Sequence, residues 1–203
     1  MTPKIVDKEL KKIEIISAAL KVFSRNGIDK SKMSDVAKEA NIGKGTIYEY
    51  FRSKDEIFTE AFQLMMREIS AKTAPLIKTN IDPFIKLKNL FDIFINYYTD
   101  EKLDFAEIMF EFWAEGIRRH DEEIHNKIDI NAIYTEYRTL FKEILDDGIR
   151  RGLFRNIDSF AIASAIVGVM DGLLLQWIMN RNIFDLKSAL YKFVDMLLNG
   201  IRK

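Results

Sequence analysis

The stretch Lys44-Gly-Thr-Ile-Tyr-Glu-Tyr-Phe51 combines one lysine, one threonine, two tyrosines and two large apolar residues within eight positions. A core helix rarely carries so many polar groups, and a fully solvated helix rarely carries Ile47 and Phe51. Because these two residues are four positions apart, they share one face of a helix, and we expect them to pack inward. The remaining polar side chains are then left for an outer surface: Lys44, Thr46, Tyr48 and Tyr50.

The residues before this stretch predict two more helices. Apolar residues recur at helical spacing over residues 8–25, and Gly27 suits the left-handed conformation that ends such a helix. Ser31 is the expected N-cap of a short second helix, which ends at Asn41 because asparagine tolerates left-handed backbone. A turn of three residues, 41–43, then leads into the quoted stretch. Two short helices joined in this way form a helix-turn-helix, which presents its second helix to the major groove of DNA.

The charge of the chain is unevenly distributed, although its formal net charge is zero. Residues 1–54 carry 12 Lys/Arg and 7 Asp/Glu, a net of +5, and residues 55–203 carry 19 and 24, a net of −5. A basic end on an acidic body suggests that the N-terminal part meets a polyanion. Random scatter accounts for a difference of this size almost as well.

The side chains near the turn predict how DNA is contacted. Phosphates require cations or hydroxyl donors, whereas base edges require a short group such as Thr46 or the exposed backbone at Gly45. Lys54, beside the start of a fourth helix, marks a second phosphate site, and two residues of the second helix can reach the backbone across the groove. The predicted DNA contacts are Lys32, Ser34, Lys44, Gly45, Thr46, Tyr48, Tyr50 and Lys54.

Glu49 does not fit this interpretation easily, because a carboxylate repels phosphate. It either accepts a hydrogen bond from a cytosine amine or faces solvent. Helix-turn-helix pairs also occur in folds that bind no DNA. The spacing of these residues therefore leaves open a three-helix subdomain with solvated lysines.

Residues 15–62 resemble the N-terminal domain of TetR/AcrR-family transcriptional regulators. The match centres on AALKVFSRNGIDKSKMSDVAKEANIGKGTIYEYFRSKDEIF and covers about a quarter of the chain. The resemblance implies that the short third helix reads the major groove, that residues 44–46 approach bases, and that Tyr48, Tyr50 and Lys54 hold phosphates. Asn41 stands where the family usually has glycine, and Gly43 stands where it has Ser or Thr. Gly43 is a weaker cap than Ser, by a few tenths of a kcal/mol.

The rest of the chain predicts further helices and no strands. A fourth helix is expected over residues 54–73, starting at a capping box that begins at Ser53 and broken by Pro75. We expect five more helices over residues 83–99, 103–118, 122–151, 157–180 and 185–201. The fold class is therefore all-α with about nine helices. It comprises a helix-turn-helix DNA-binding domain over residues 1–53 and a helical effector-binding and dimerisation domain over residues 54–203.

The apolar run of residues 160–179 is long enough to span a bilayer. Asp171 within it and the amphipathic helices around it favour a buried helix instead. Small residues four apart let another helix approach closely, so we expect this helix and the last one to form the four-helix interface of a homodimer, as the family resemblance implies. The predicted interface residues are Ser164, Gly168, Gly172, Leu190, Phe193 and Leu197. The alternative is that both helices are monomer core.

Two further expectations concern the middle of the chain. Asp171 is expected to bond to a backbone group at the interface, with an effector cation as the alternative. The middle helices are rich in aromatic residues, which are common in plain cores. The family resemblance nevertheless implies a small-effector pocket, and pockets are mostly apolar. The predicted lining is Phe94, Tyr98, Met109, Trp113, Tyr137, Phe141 and Met170.

Little in the sequence suggests an enzyme, a metal site or a cofactor. The two histidines, His120 and His125, are spaced five apart, which does not put them on one helical face. The chain has no cysteine, no H-E-x-x-H motif and no glycine-rich phosphate loop.

The predicted function is that of a ligand-responsive homodimeric repressor, released from a palindromic operator by a small hydrophobic effector. The alternative is an all-α ligand-binding or protein-adaptor module without operator binding. The expected partners are double-stranded operator DNA, the effector and a second copy of the chain, and no membrane. The expected location is the cytoplasm of a bacterium or archaeon, in association with the nucleoid.

Overall fold

A computed structural model of the protein describes residues 8–99 and 129–203, apart from the side chain of Tyr98. Regular structure in these two ranges is helical, and one isolated β-bridge joins Phe154 to Arg202. The described helices, numbered in chain order, are α1 (Lys8–Asn26), α2 (Met33–Glu39), α3 (Lys44–Ile47), α4 (Lys54–Lys78), α5 (Pro83–Tyr98), α6 (Ile130–Arg150), α7 (Ser159–Met179) and α8 (Leu186–Ile201). The all-α fold class is confirmed.

The described chain divides into two compact units, residues 8–67 and residues 68–99 with 129–203. The division lies inside α4, after Arg67. The assignment of separate functions to residues 1–53 and 54–203 stays a prediction.

The first unit contains the expected helix-turn-helix. α1 packs on α2, and α2 packs on α3. Gly27 and Asn41 both adopt the left-handed backbone conformation, with φ of 73° and 52°, so α1 and α2 end as predicted. The core of this unit is apolar, and its fully buried members include Ile15, Ala19, Val36, Ile47, Phe51 and Ile57.

The expected role of Ser31 as the N-cap of α2 is wrong. The N-cap is Lys32, whose backbone N–H donates to the Asp35 carboxylate at 3.1 Å. Ser31 is buried, and its hydroxyl donates to the carbonyl oxygen of Gly27 at 2.7 Å. The hydroxyl therefore satisfies a carbonyl at the end of α1 instead of an amide at the start of α2.

The lengths of two helices differ from the prediction. α3 ends at Ile47, and the following residues continue as a turn. In this turn the backbone N–H groups of Tyr48, Glu49 and Tyr50 donate to the carbonyl oxygens three positions earlier. α4 does not end near Thr73 but continues through Pro75 to Lys78. Proline lacks the N–H that would bond to the residue four positions earlier. That residue, Ala71, is exposed, so water can satisfy its carbonyl.

The second unit packs α5 against α6 and α8, and α7 against α6 and α8. Four aspartates, each located directly before a helix, accept hydrogen bonds from the backbone N–H groups of the first turn. They are Asp82, Asp129, Asp158 and Asp185, at 2.7, 2.9, 3.0 and 2.5 Å. These caps explain why α5, α7 and α8 begin within two residues of their predicted starts.

One predicted helix starts later than expected, and another cannot be compared. The helix expected over residues 122–151 begins at Ile130, because Asp129 has extended backbone geometry and caps it. The helix expected over residues 103–118 lies outside the described residues.

The connection between α6 and α7 packs tightly on the end of α6. A Cβ atom on Gly148 would lie 2.0 Å from the ring of Phe154, which is buried. A backbone hydrogen bond joins this connection to the end of α8, since the Arg155 N–H donates to the carbonyl oxygen of Ile201 at 2.8 Å. Glycine at position 148 is therefore required by the fold.

Candidate nucleic-acid interface and ligand cavity

The short helix α3 has one buried and one open face, as predicted. Ile47 is 0% and Phe51 1% exposed, whereas Tyr48 is 50% exposed. Lys44 and Gly45 are also exposed, and Thr46 and Tyr50 are half-buried. The buried pair fixes α3 in the first unit, so that the polar side chains project from a rigid support.

Gly45 has open space where a side chain would be. Apart from its chain neighbours and its own helix backbone, no described heavy atom lies within 4 Å of the position that a Cβ would take, and the backbone is helical. A Cβ on Gly43, the N-cap of α3, would lie 3.4 Å from the Thr46 hydroxyl oxygen, which is an ordinary contact. Neither glycine is therefore required by the packing of this chain.

Lys54 forms hydrogen bonds within the first unit. Its ammonium group donates to the carbonyl oxygens of Ile28 and Asp29, at 2.7 and 2.8 Å. A lysine has three N–H donors, so one is left for a phosphate. Sequence reasoning missed the structural role, because the partners are backbone atoms about 25 residues away and leave no pattern in the sequence.

The start of α4 contains half of the predicted capping box. The Ser53 hydroxyl accepts from the N–H of Glu56 at 3.1 Å, but the Glu56 carboxylate accepts from the N–H of Arg52 at 2.5 Å instead of from Ser53. Arg52 itself is exposed next to the helix-turn-helix. It is a cation of this surface that the sequence analysis did not select, although its charge and position were visible.

The other predicted contacts lie at accessible positions. Lys32 is exposed at the start of α2, and Ser34 is half-buried in the first turn. Glu49 is exposed in the turn after α3, so its carboxylate faces solvent in the free protein.

A cavity in the second unit is lined by Phe94, Tyr137, Phe141, Val167 and Met170. Four of these five residues belong to the predicted lining, and Val167 was missed although it lies three positions before Met170 on α7. Phe94 packs against the rings of Tyr137 and Phe141, with centroids 5.1 and 5.8 Å apart.

The enclosed cavity is about 10 Å³, roughly the space of one water molecule and far below the ~300–1,000 Å³ of typical ligand pockets. The side chain of Tyr98, and Met109 and Trp113, lie outside the described residues. The described walls therefore form a small apolar site that must widen to admit a ligand of ordinary size.

Asp171 follows Met170 on α7 and is half-buried. Burial raises the pKa of its carboxyl group from 3.8 to about 6, although a hydrogen bond from the side chain of Tyr134 opposes the shift. Burial, with the charges of Glu136 and Asp171, raises the pKa of Tyr137 well above its ordinary value. The side chain of Tyr134 is one partner of Asp171, and the expected bond to a backbone group at the interface stays a prediction.

The predicted small residues of α7 lie on an open face. Positions for a Cβ on Gly168 and Gly172 have no atom within 4 Å, and Ser164 is half-buried. On α8, Phe193 and Leu197 are half-buried. They remain partly available to a partner.

The choice of Leu190 as an interface residue is wrong. It is 1% exposed within a single chain, so it belongs to the protomer core and no partner can reach it.

Large apolar side chains extend the same open face. Phe160, Leu175 and Met179 on α7 and Met196 on α8 are exposed, Met179 by 76%. The spacing of Phe160 four positions before Ser164 is a signal that could have identified the first of them. α7 is the one described helix long and apolar enough to cross a membrane, and 28% of its apolar window is buried in the chain.

In the two described ranges, no group of three or more His, Cys, Asp or Glu residues is arranged to hold a metal ion. His120 and His125 lie outside those ranges.

A helix-turn-helix with an open polar face, joined by one helix to a unit with an apolar cavity, defines a ligand-responsive, DNA-binding transcriptional regulator. Residues 15–61 match the family described as "Bacterial regulatory proteins, tetR family", and residues 90–200 match "BetI-type transcriptional repressor, C-terminal". The chain belongs to the TetR family of transcriptional regulators.

Similar proteins span nearly the whole chain. The fatty acid metabolism regulator protein of Bacillus subtilis (strain 168) is 28% identical over 96% of this chain and 97% of its own length. The structure of the fatty acid degradation regulator FadR from Bacillus halodurans is similar with a TM-score of 0.74 and 28% identity, over 95% and 96% of the two chains. That of FadR from Bacillus subtilis in complex with stearoyl-CoA has a TM-score of 0.71 and 26% identity, over 94% and 99%.

Proposed function

We propose that the protein is a homodimeric repressor that binds a palindromic operator through α3 and leaves it when a small hydrophobic effector enters the cavity. The observation that carries this proposal is the arrangement of α3. Its apolar side is completely buried, its polar side is open, and Gly45 leaves space for the close approach of a nucleic acid. Packing among the described residues does not account for that space.

The contacts divide by chemistry. Lys44, Thr46 and the backbone at Gly45 approach base edges, where short groups and cations discriminate between bases. Hydroxyl groups and cations around them hold phosphates and fix the register on the duplex. This second set consists of Lys32, Ser34, Tyr48, Tyr50 and the remaining donor of Lys54, to which we add Arg52.

A second copy of the chain covers the open face of α7 and α8. Only 28% of the apolar window of α7 is buried in the chain, and contiguous exposed apolar surface marks interaction sites. A palindromic operator also requires two copies, because its two half-sites lie ~34–36 Å apart and each takes one α3. The proposed interface is Phe160, Ser164, Gly168, Gly172, Leu175, Met179, Phe193, Met196 and Leu197.

The effector is a fatty acyl derivative. Two observations support this class: the apolar walls of the cavity, and the similarity to a fatty acid metabolism regulator and to a FadR structure that contains stearoyl-CoA. Because the described cavity is small, an acyl chain must widen it. The effector therefore binds the widened state better, which is the differential affinity that a conformational response requires.

Widening alters the position of α4, which carries Lys54 in its first turn, and the two α3 helices of the dimer no longer fit both half-sites. The protein acts in the cytoplasm of a bacterial cell, where its operator places it with the nucleoid.

Titration of labelled genomic fragments at several salt concentrations tests the proposal. Binding at preferred sites should weaken steeply as salt rises, because contacts to phosphates release counterions. If no fragment is preferred and affinity does not depend on salt, the protein is instead a ligand-binding or adaptor module. Native mass spectrometry of the purified protein should show a retained acyl compound.

A further inference from the structure

We propose that two residues of α5, Tyr97 and Lys86, hold the last three turns of α4 and transmit the state of the cavity to that helix. This inference rests on the proposed function, since it names the residues through which the effector acts. Both are positioning residues, because neither lines the cavity nor contacts DNA.

The first contact that fixes α4 to α5 is at Glu68 of α4. The hydroxyl of Tyr97 donates to the Glu68 carboxylate at 2.8 Å, and Tyr97 is buried. The ammonium group of Lys72, one turn further along α4, lies 5.3 Å from the centroid of the Tyr97 ring. A buried aromatic ring with a charge-assisted hydrogen bond and a cation on its face is a directional contact. It therefore ties α5 to one side of α4.

The second such contact is at the end of α4. Lys86 is buried, and its ammonium group donates to the carbonyl oxygens of Ile77 and Thr79 at 3.1 and 2.8 Å. The last carbonyls of a helix have no partner within the helix and carry partial negative charge, so a lysine stabilises them. A buried ammonium group is costly without such partners. This end of α4 therefore moves together with Lys86.

α5 also forms a wall of the cavity. Phe94, three positions before Tyr97, is 1% exposed and packs against Tyr137 and Phe141 across the cavity. Any ligand that widens the cavity must displace a wall, and because the Phe94 ring is buried between two other rings, a push on it is passed to α5. Lys86 and Tyr97 are 11 residues apart, ~16 Å along a helix at 1.5 Å per residue, so a shift of α5 reaches α4 at two separate points.

α4 itself is suited to respond between these points. Pro75 lies between Glu68 and Thr79, and it removes one hydrogen bond of the helix. The other end of α4 is held by Lys54 at the loop before α2. We therefore expect a displacement of α5 to act on α4 near Pro75, where one hydrogen bond of the helix is missing. The course of α4 from Pro75 back to its first turn should change as a result.

The test does not require the effector or the operator. In the full-length protein, Val167→Phe fills the cavity and pushes on Phe94, and Met170→Phe is a second filling variant should the first not fold. Hydrogen exchange is measured on the amides of residues 68–78. We expect filling to raise the exchange rate there by about tenfold, a usual size for coupling between sites.

Removal of the Tyr97 hydroxyl then tests the contact between Tyr97 and Glu68. Tyr97→Phe keeps the ring, and alone it should raise exchange in residues 68–78. Filling the cavity of this variant should raise the exchange rate of residues 68–78 by a further factor of less than about two. A factor of this size is within the scatter found when independent changes are combined. Glu68→Gln retains an acceptor oxygen and should keep the response to filling, whereas Glu68→Leu should lose it.

Tyr191→Phe is the matched control, because the Tyr191 hydroxyl hydrogen-bonds to Asp92 of α5 and not to α4. In the Tyr191→Phe protein, filling the cavity should raise the exchange rate of residues 68–78 as much as it does in the wild-type protein. The inference is overturned if filling changes α4 equally with and without the Tyr97 hydroxyl, or if neither filling variant changes it. Since operator binding is measured separately, such a result would leave the proposed repressor intact.

Discussion

The ammonium group of Lys54 lies 2.7 Å from the carbonyl oxygen of Ile28 and 2.8 Å from that of Asp29. A residue predicted to serve only DNA thus also joins α4 to the loop between α1 and α2. Lys54→Met should lower the free energy of unfolding by roughly 1.5–3 kcal/mol, the range for a hydrogen-bonded charged group. Lys44→Met is the control. It should change stability by less than about 0.5 kcal/mol, as for most surface substitutions.

Urea denaturation of both variants measures this difference. Operator binding should weaken in both, but the salt dependence should fall by about one ion for Lys54→Met, because Lys54 is the lysine assigned to a phosphate. Equal stability of the two variants would show that the contacts of Lys54 contribute nothing to the fold.

Gly45 and Gly148 are expected to respond in opposite ways to the same substitution. Gly45→Ala places a Cβ in open space on a helix, so stability should stay the same or rise by up to about 1 kcal/mol. Operator affinity should nevertheless fall, because DNA approaches the backbone there. Gly148→Ala overlaps the buried ring of Phe154 and should cost roughly 1–3 kcal/mol.

Thermal unfolding and operator titration, carried out on both glycine variants, separate the two effects. Unchanged operator affinity in a stable Gly45→Ala protein would mean that the open space at Gly45 is not occupied by DNA.

Thr46 and Tyr48 are assigned to different parts of the duplex. Thr46→Ala should relax the preference for one base pair, by about 1–3 kcal/mol of discrimination. Tyr48→Phe removes a hydroxyl that is free to reach a phosphate, and it should weaken binding similarly on all sequences. Competition with operators changed at one position at a time measures both effects. Equal losses that do not depend on sequence in the two variants would contradict the assignment.

The main elements of the site were predictable because they depend on local patterns. Ile47 and Phe51 lie one turn apart, so their burial follows from helical spacing alone. Three cavity residues, Phe94, Tyr137 and Phe141, could be selected because aromatic side chains cluster in the middle helices.

Other features depend on contacts between distant segments and leave no local signal. Lys54 bonds to backbone atoms, which every residue carries. Leu190 was misassigned because α8 has two adjacent apolar rows, 190–194–198 and 193–197, and only packing determines which one faces the core. The path of α4 through Pro75 was missed because it depends on Ala71 facing water.

Gly168 should determine whether two copies associate. A Cβ there has open space among the described residues outside its own helix, so Gly168→Leu should leave the protomer folded. If the α7 helices of two copies approach closely, the larger side chain keeps them apart and shifts the protein toward monomer. Sedimentation over a range of concentrations measures this shift. An unchanged dimer would place the interface on another surface.

Asp171 should make stability depend on pH. Its folded-state pKa is raised from 3.8 to about 6, so the folded protein binds a proton more tightly than the unfolded chain. Between about pH 4 and pH 6 the folded state holds more protons, and stability from this group is therefore lost as pH rises through that window. The loss is on the order of 3 kcal/mol, and it persists above pH 6 because the buried carboxylate is then charged.

Asp171→Asn has no such charge and should be more stable than the wild-type protein at pH 7.5, with little difference at pH 4. Urea denaturation of both proteins at several pH values measures the difference. Since Tyr134 donates to this carboxylate, Tyr134→Phe should raise the pKa of Asp171 further and move the window to higher pH. If the difference between wild type and Asp171→Asn does not change with pH, the carboxyl group is hydrated in the folded protein and titrates near its ordinary pKa.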